Sequence, residues 1–469
     1  MNNSIGSVEQ KQKIIKLTIF LFMGVSILAI LSWNSTLIVL AMIFTFVAMM
    51  IYCISNLTKN IVLAIMFICI FTFLSSSVIG RFLYGQNDFM YGFTDTEFNT
   101  ACSLIIISYY MIFCGYIIDK HYRIVCGSKR GLFFEDSSFS VECIQKISFI
   151  VFVVSSVMAM FFSIQKMIYA LHMGYISLYT TYSGSSWLQR LSFVSSASFF
   201  IGLAAKPNKK MLKYYFILGF IDPVITFIQG VRSTLVTYVL FLVFYCFTYN
   251  NLINGNDAKD NRKTIRLIFL GVLSIIIIIP FLYSYGLSRI GENSNTNGIN
   301  AIIAFFDGQG GSFRVLGAAV KYKGALPQKW YSFGSIIDRF SDVVYGTQNA
   351  QRAMMAHSFA DTITYLEEKA SYLMGYGMGS CYIAEIFYDF GVLGVIIVNL
   401  FLGIILKTLT DFENLSIFKR SVSFILFQNV MMMPRGTFLR PIDVLFSFST
   451  IVVFFIVFGA SRIRSRQRP

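Results

Sequence analysis

What most constrains this chain is the repetition of apolar runs long enough to cross a bilayer. Roughly twenty apolar residues in a helix span the hydrocarbon core. About twelve runs qualify as candidates: 14–33, 36–55, 61–79, 99–118, 146–164, 190–205, 214–230, 232–249, 267–286, 381–406, 421–433 and 442–460. Backbone polar groups in lipid must be satisfied inside helices or closed barrels, and runs of this length are helical. The expected fold class is therefore an all-α integral membrane protein of about 12 transmembrane helices, with one long outer loop carrying short helices. Composition agrees. Of 469 residues, 56% are hydrophobic and 13% charged, against roughly 25% charged in a soluble domain. Three runs are weaker than the rest. The run at 190–205 is short and Ser-rich, 214–230 contains Asp222-Pro223, and 421–433 is short.

The expected division is an N-terminal bundle of about nine spans over 1–286, a large extracytoplasmic loop over 287–380, and C-terminal spans over 381–469. Lys11, Lys13 and Lys16 precede the first run as in a signal peptide. No small-residue cleavage site follows, so the run reads as a retained span. A net charge of +15 raises the question of nucleic acid, but the charges lie in short segments between apolar runs. That is the pattern that orients a multi-pass protein. KPNKKMLK (206–213), KDNRK (259–263) and RIRSRQR near the C-terminus mark the basic side. Both termini are expected in the cytoplasm, with the protein in the cytoplasmic membrane.

The basic residues on the other side are mostly arginines: Arg81, Arg190, Arg232, Arg289, Arg314, Arg339, Arg352, Arg435 and Arg440. Orientation does not require them. The planar guanidinium fork suits phosphate and carboxylate, and solvated loop arginines are the plainer alternative. Arg232 in IQGVRSTLV sits between two apolar runs with almost no loop, where a charge is costly and usually functional. Arg289 follows the run 267–286 directly, and Arg435 and Arg440 share the short connection MMMPRGTFLRP. Three span ends thus bring Arg to one boundary, as a site for an anionic headgroup requires.

The segment from 287 to 380 far exceeds ordinary connections, and long loops tend to carry function. DGQGGSFRVLG (307–317) surrounds Arg314, and WYSFGSIIDRFSDVVYG (330–346), which holds Arg339, has the helical spacing and aromatics of a membrane-surface helix. AMMAHSFADTITYLEEKA (353–370) carries His357, the one histidine of three in this loop. An imidazole is suited to general-base work near neutral pH; a surface histidine is the alternative. The eight cysteines lack metal-ligand spacing, and no metal or cofactor is expected.

GYGMGSCYIAEIFYDFGVLG (375–394) leads through three alternating glycines into an apolar run with Glu385 and Asp389 one helical turn apart. This stretch resembles the Gly-rich entry and aromatic-Glu-aromatic span of the O-antigen and capsular polysaccharide polymerases of the Wzy type. IQGVRSTL is similar to that family's Gly-x-Arg, MMMPRGTFLRP to its last short outer loop, and the long loop matches in position. The resemblance implies a glycosyltransferase that needs neither metal nor sugar nucleotide. Such an enzyme joins undecaprenyl-pyrophosphate-linked oligosaccharide repeat units on the outer face of the bacterial cytoplasmic membrane, into O-antigen, capsule or exopolysaccharide. A chain-length regulator and a flippase are the implied partners.

Cast in that role, Arg232, Arg289, Arg435 and Arg440, then Arg314 and Arg339, bind the pyrophosphate, with Asp389 in support. His357 or Glu385 activates the acceptor hydroxyl. The glycines let backbone approach substrate. Two rivals stand beside this reading. A flippase for the same lipid-linked sugars would use the Asp222-Pro223 break, and a glycan ligase would share the donor and differ in the acceptor.

Overall fold

The computed structural model describes residues 2–84, 89–118, 138–175, 177–182, 186–254, 298–341, 346–410 and 415–466. Among them every regular element is helical, as the apolar runs predict. Seven helices are long and apolar enough to span a membrane, and three shorter apolar helices accompany them. The chain is an integral membrane protein. The run 267–286 and Arg289 lie outside the described residues.

The described chain falls into two compact units. The first comprises Met1–Tyr122, Phe244–Thr410 and Met431–Phe438. Here α2 (Ser35–Ser55) packs against α1 (Asn2–Leu31), α3 (Leu57–Leu83) and α4 (Asp95–Ile118). Asn34 starts α2 by accepting the Leu37 N–H at 3.1 Å, satisfying a donor that the helix leaves orphaned. α3 is the most enclosed spanning helix. Its ladder loosens into one π turn at Phe71–Ser75, a distortion common at functional sites.

The second unit comprises Arg123–Val243, Asp411–Val430 and Leu439–Pro469. It begins with α5 (Ser138–Met173), α6 (Ser186–Ala204) and α7 (Lys209–Ile228). α8 (Arg232–Asn254) starts in this unit and continues into the first. The core is aromatic: the Phe152 and Tyr215 rings lie 4.9 Å apart, as do those of Phe200 and Phe241. Pro223 sits inside α7, as the Asp-Pro pair in that weak run implies.

The long loop folds onto the first unit as α9 (Gly298–Gln309), α10 (Ser312–Lys321), α11 (Gly334–Phe340), α12 (Ala350–Met355), α13 (Phe359–Glu367) and α14 (Lys369–Leu373). α15 (Tyr382–Thr408) then packs on α4. A Cβ on Gly115 would lie 1.9 Å from the Leu400 carbonyl oxygen, and one on Gly403 would lie 2.1 Å from that of Ile112. Small residues at such crossings let helices in lipid approach closely. Asn399 ties the pair further, donating to the Ser108 hydroxyl at 3.1 Å and accepting from Tyr382 at 2.6 Å.

Two span boundaries differ from the sequence expectation. The run 381–406 is not one straight helix. Gly391 takes φ 66°, ψ −161°, a region open essentially to glycine alone, and it separates Tyr382–Phe390 from the rest of α15. The final connection is also longer than expected. After α16 (Ile417–Val430) the chain enters the first unit over Met431–Phe438, then forms α17 (Arg440–Leu445) and α18 (Phe448–Arg466). Pro441 suits the first turn of a new helix, so α17 starts there and the last apolar helix begins later.

Candidate functional site

Glu385 stands in the first turn of α15 and is 1% exposed. One carboxylate oxygen accepts the Ser380 hydroxyl at 2.5 Å, and the other accepts the Phe438 backbone N–H at 2.8 Å. The carboxylate therefore clamps the segment Met433–Phe438 to the helix. Pro434 opens a 3₁₀ turn there, Met431–Pro434 are buried, and Arg435 emerges exposed. Arg435 Nη1 donates to Gln309 Oε1 at 2.6 Å, and the guanidinium lies 5.7 Å from the Phe73 ring centroid in the π turn.

Gln309 is itself held in place. Ser76 Oγ donates to the Phe306 carbonyl at 3.0 Å and Ser77 Oγ to that of Gly310 at 3.2 Å. Two residues before Gln309, Asp307 takes both Arg81 Nε at 2.8 Å and Nη2 at 3.0 Å, and the Tyr91 hydroxyl at 2.7 Å. The Arg81 guanidinium covers the Tyr91 ring at 3.8 Å. This bidentate pair, with its cation–π contact, is a rigid support.

Asp389 clamps a second segment. Its carboxylate accepts the N–H groups of Tyr331 at 3.3 Å and Ser332 at 2.7 Å, where the chain turns into α11. α11 carries Asp338, whose carboxylate takes the His357 backbone N–H at 3.0 Å and contacts His357 Nδ1 at 2.8 Å. A carboxylate can only accept, so Nδ1 is the donor, and in the neutral ring Nε2 carries the lone pair that can act as a base. Among the described residues Nε2 has no hydrogen-bond partner. The imidazole is 26% exposed and reachable from solvent.

Gly334 makes the dyad possible, since a Cβ there would lie 1.8 Å from the His357 carbonyl oxygen. Lys329 completes the surroundings, donating to the Met354 and Ala356 carbonyls. Burial holds its ammonium below the ordinary lysine range, against the pull of Asp338. Trp330 and Phe333 pack on Phe390 at 5.5 and 6.2 Å, while Phe340 is 82% exposed.

The candidates from the sequence thus fall in several places. Glu385 and Arg435 share one loop–helix junction. Asp389 lies one turn along the same helix and holds the segment that leads to the His357 dyad. Arg314, on α10, is ion-paired with Glu368 at 2.8 Å, and Arg339 is exposed on α11. Arg440 begins α17 and is exposed, and Arg232 begins α8, both in the second unit. Gly375 and Gly379 take φ of 98° and 82°, so the glycine run turns the chain into α15.

Sequence reasoning missed Asp338, Gln309 and Ser380. A lone Asp nineteen residues before a lone His carries no local pattern. The Gly-rich context of Gln309 and the Gly379-Ser380 pair were visible signals of a shaped backbone.

Comparison with known proteins gives the family. No curated protein and no solved structure matches the chain. The model of the family described as O-antigen polysaccharide polymerase Wzy matches residues 13–468, nearly the full length. Both the all-helical membrane architecture and the match along it support one conclusion: the chain belongs to the O-antigen polysaccharide polymerase Wzy family.

Proposed function

We propose that this protein joins oligosaccharide repeat units carried on undecaprenyl pyrophosphate into a surface polysaccharide, at the outer face of the cytoplasmic membrane, with both termini in the cytoplasm. The family match over residues 13–468 carries this reading. The reaction breaks the bond between the glycan of one lipid carrier and its pyrophosphate. It forms a bond to a hydroxyl at the non-reducing end of another repeat unit. The pyrophosphate leaves with added negative charge, and the acceptor hydroxyl loses a proton.

Two groups in the first unit suit those needs. Arg435 is displayed on a clamped turn, and a fixed guanidinium stabilises charge growing on a leaving pyrophosphate with little reorganisation. Each charge-assisted contact contributes about 1.5–3 kcal/mol, or roughly 10- to 150-fold in rate. His357, with Nδ1 held by Asp338, is the base for the acceptor hydroxyl.

Glu385 has both oxygens engaged and is closed to solvent, so its role is to hold the Arg435 turn. Asp389 in the same way supports the His357 segment. Arg232, Arg289 and Arg440 are assigned as further phosphate contacts on their sequence positions, with Arg314 and Arg339 as outlying contributors. A flippase and a chain-length regulator are the expected partners.

The test is reconstitution. The purified full-length protein in lipid nanodiscs receives lipid-linked single repeat units, and products are sized on gels. A ladder of multiples is expected, reduced about 10- to 150-fold in Arg435→Ala. Single units left unchanged by folded protein would contradict the proposal.

A further inference from the structure

The second unit holds a partly open cavity of about 140 Å³ among α5, α6, α7, α8 and α16. None of the groups assigned to the candidate site in the first unit lines it. Thr234 reaches it from the first turn of α8 and Gln428 from the last turn of α16. The cavity is therefore near one end of these helices.

Its lining is unusual for spanning helices. Asp222 gives one carboxylate oxygen to the Ser163 hydroxyl at 2.5 Å. The other oxygen has no hydrogen-bond partner among the described residues. The same holds for the side chains of Ser196, Thr234 and Gln428, which also line the cavity. Pro223 lacks an N–H, so the carbonyl of Gly219, another lining residue, loses its helical donor. Polar groups left unsatisfied within a membrane segment are costly, and where they line a cavity they mark a ligand path. The remaining walls are rings, chiefly Phe199, Tyr238 and Phe241.

Size and chemistry narrow the ligand. A cavity of about 150 Å³ admits one six-membered ring. A carboxylate, an amide and hydroxyls on one side with aromatic faces on the other suit a pyranose, which has polar edges and apolar C–H faces. A lipid tail would offer no donor to the second Asp222 oxygen or to the lining hydroxyls and amide, and a bare cation, beside a carboxylate already facing the Lys166 ammonium, would not fill the volume.

We propose that this cavity binds one sugar ring of the glycan that the protein polymerises, with Asp222, Thr234 and Gln428 reading its hydroxyls. The cavity is then a determinant of which repeat unit is accepted. The proposal rests on the polymerase reading, and the two are separated as follows.

The probe is the free repeat-unit oligosaccharide released by mild acid from the host's own lipid-linked pool. It is titrated by saturation-transfer NMR against the full-length protein in nanodiscs. Binding to the wild type is expected, weakened at least tenfold in Asp222→Asn and severalfold in the near-isosteric Thr234→Val and Gln428→Leu. Arg435→Ala should bind the free sugar within twofold of wild type while losing polymer. No binding to the wild type, or equal binding by the folded cavity variants, would mean that the cavity holds water only, and would overturn the proposal. Cavity variants that polymerise the native unit at the wild-type rate would overturn it as well. Sugar binding that depends on the cavity, in a protein that makes no polymer, would instead overturn the polymerase reading.

Discussion

Replacing Glu385 by Gln separates a loop clamp from a catalytic base. In the clamp, one oxygen accepts from the Phe438 N–H and the other from the Ser380 hydroxyl. The amide keeps both contacts, because its oxygen can accept from Phe438 and its NH₂ can donate to the serine oxygen. Neutral hydrogen bonds contribute about 0.5–1.5 kcal/mol each, so even the loss of one of the two contacts would weaken the clamp by no more than about 1.5 kcal/mol. The turn bearing Arg435 stays largely docked, and activity should remain within about tenfold of wild type. Glu385→Ala removes both acceptors, strands the Phe438 N–H and frees Arg435 from its position. The loss of one phosphate contact then costs about 10- to 150-fold in rate. The assay is the rate of ladder formation from lipid-linked repeat units, with folding verified by size-exclusion profile and melting temperature. A general base replaced by its amide loses about 10²- to 10⁴-fold. A folded Glu385→Gln protein as inactive as Glu385→Ala would therefore refute the clamp and put the carboxylate in the chemistry.

His357→Ala should lower polymerisation by about 10²- to 10⁴-fold with little change in melting temperature. Asp338→Asn should give a smaller loss, since the imidazole stays present but loses its fixed orientation; wild-type rates in both would remove the dyad from the mechanism. Gly334→Ala drives a Cβ into the His357 carbonyl and should destabilise the loop by about 1–3 kcal/mol, read as faster proteolysis of the segment 330–357. Gly391→Ala should cost about 1–3 kcal/mol through backbone strain, and an unchanged melting temperature would contradict the kink.

Much of this architecture was legible because bilayer-length apolar runs admit so few solutions. Ser35–Ser55, Asp95–Ile118 and Lys209–Ile228 lie close to the runs at 36–55, 99–118 and 214–230. The break at Gly391 was not legible, since a glycine in an apolar run is as often a packing contact, as at Gly403, as a hinge. The two carboxylates on α15 were legible as a pair one turn apart, and their partners were not. Both bind backbone N–H groups, of Phe438 and of Tyr331 and Ser332, and a backbone partner leaves no mark in a sequence. Asp338 was missed for a related reason. Its contact with His357 runs from one short helix past another, nineteen residues on, and periodicity carries no information at that range. The arginines stood out only as a class. The structure gives them different settings: Arg81, Arg314 and Arg352 each meet a carboxylate, and Arg435 donates to the Gln309 amide oxygen among its contacts.

The most direct measurement is to delete this gene in its host, then size the lipid-linked glycans and determine on which membrane face they sit. The account predicts single repeat units accumulating on the outer face, with Arg435→Ala reproducing the defect. Repeat units trapped on the inner face would contradict it in favour of a flippase. Long polymer left on its lipid carrier would contradict it in favour of a ligase.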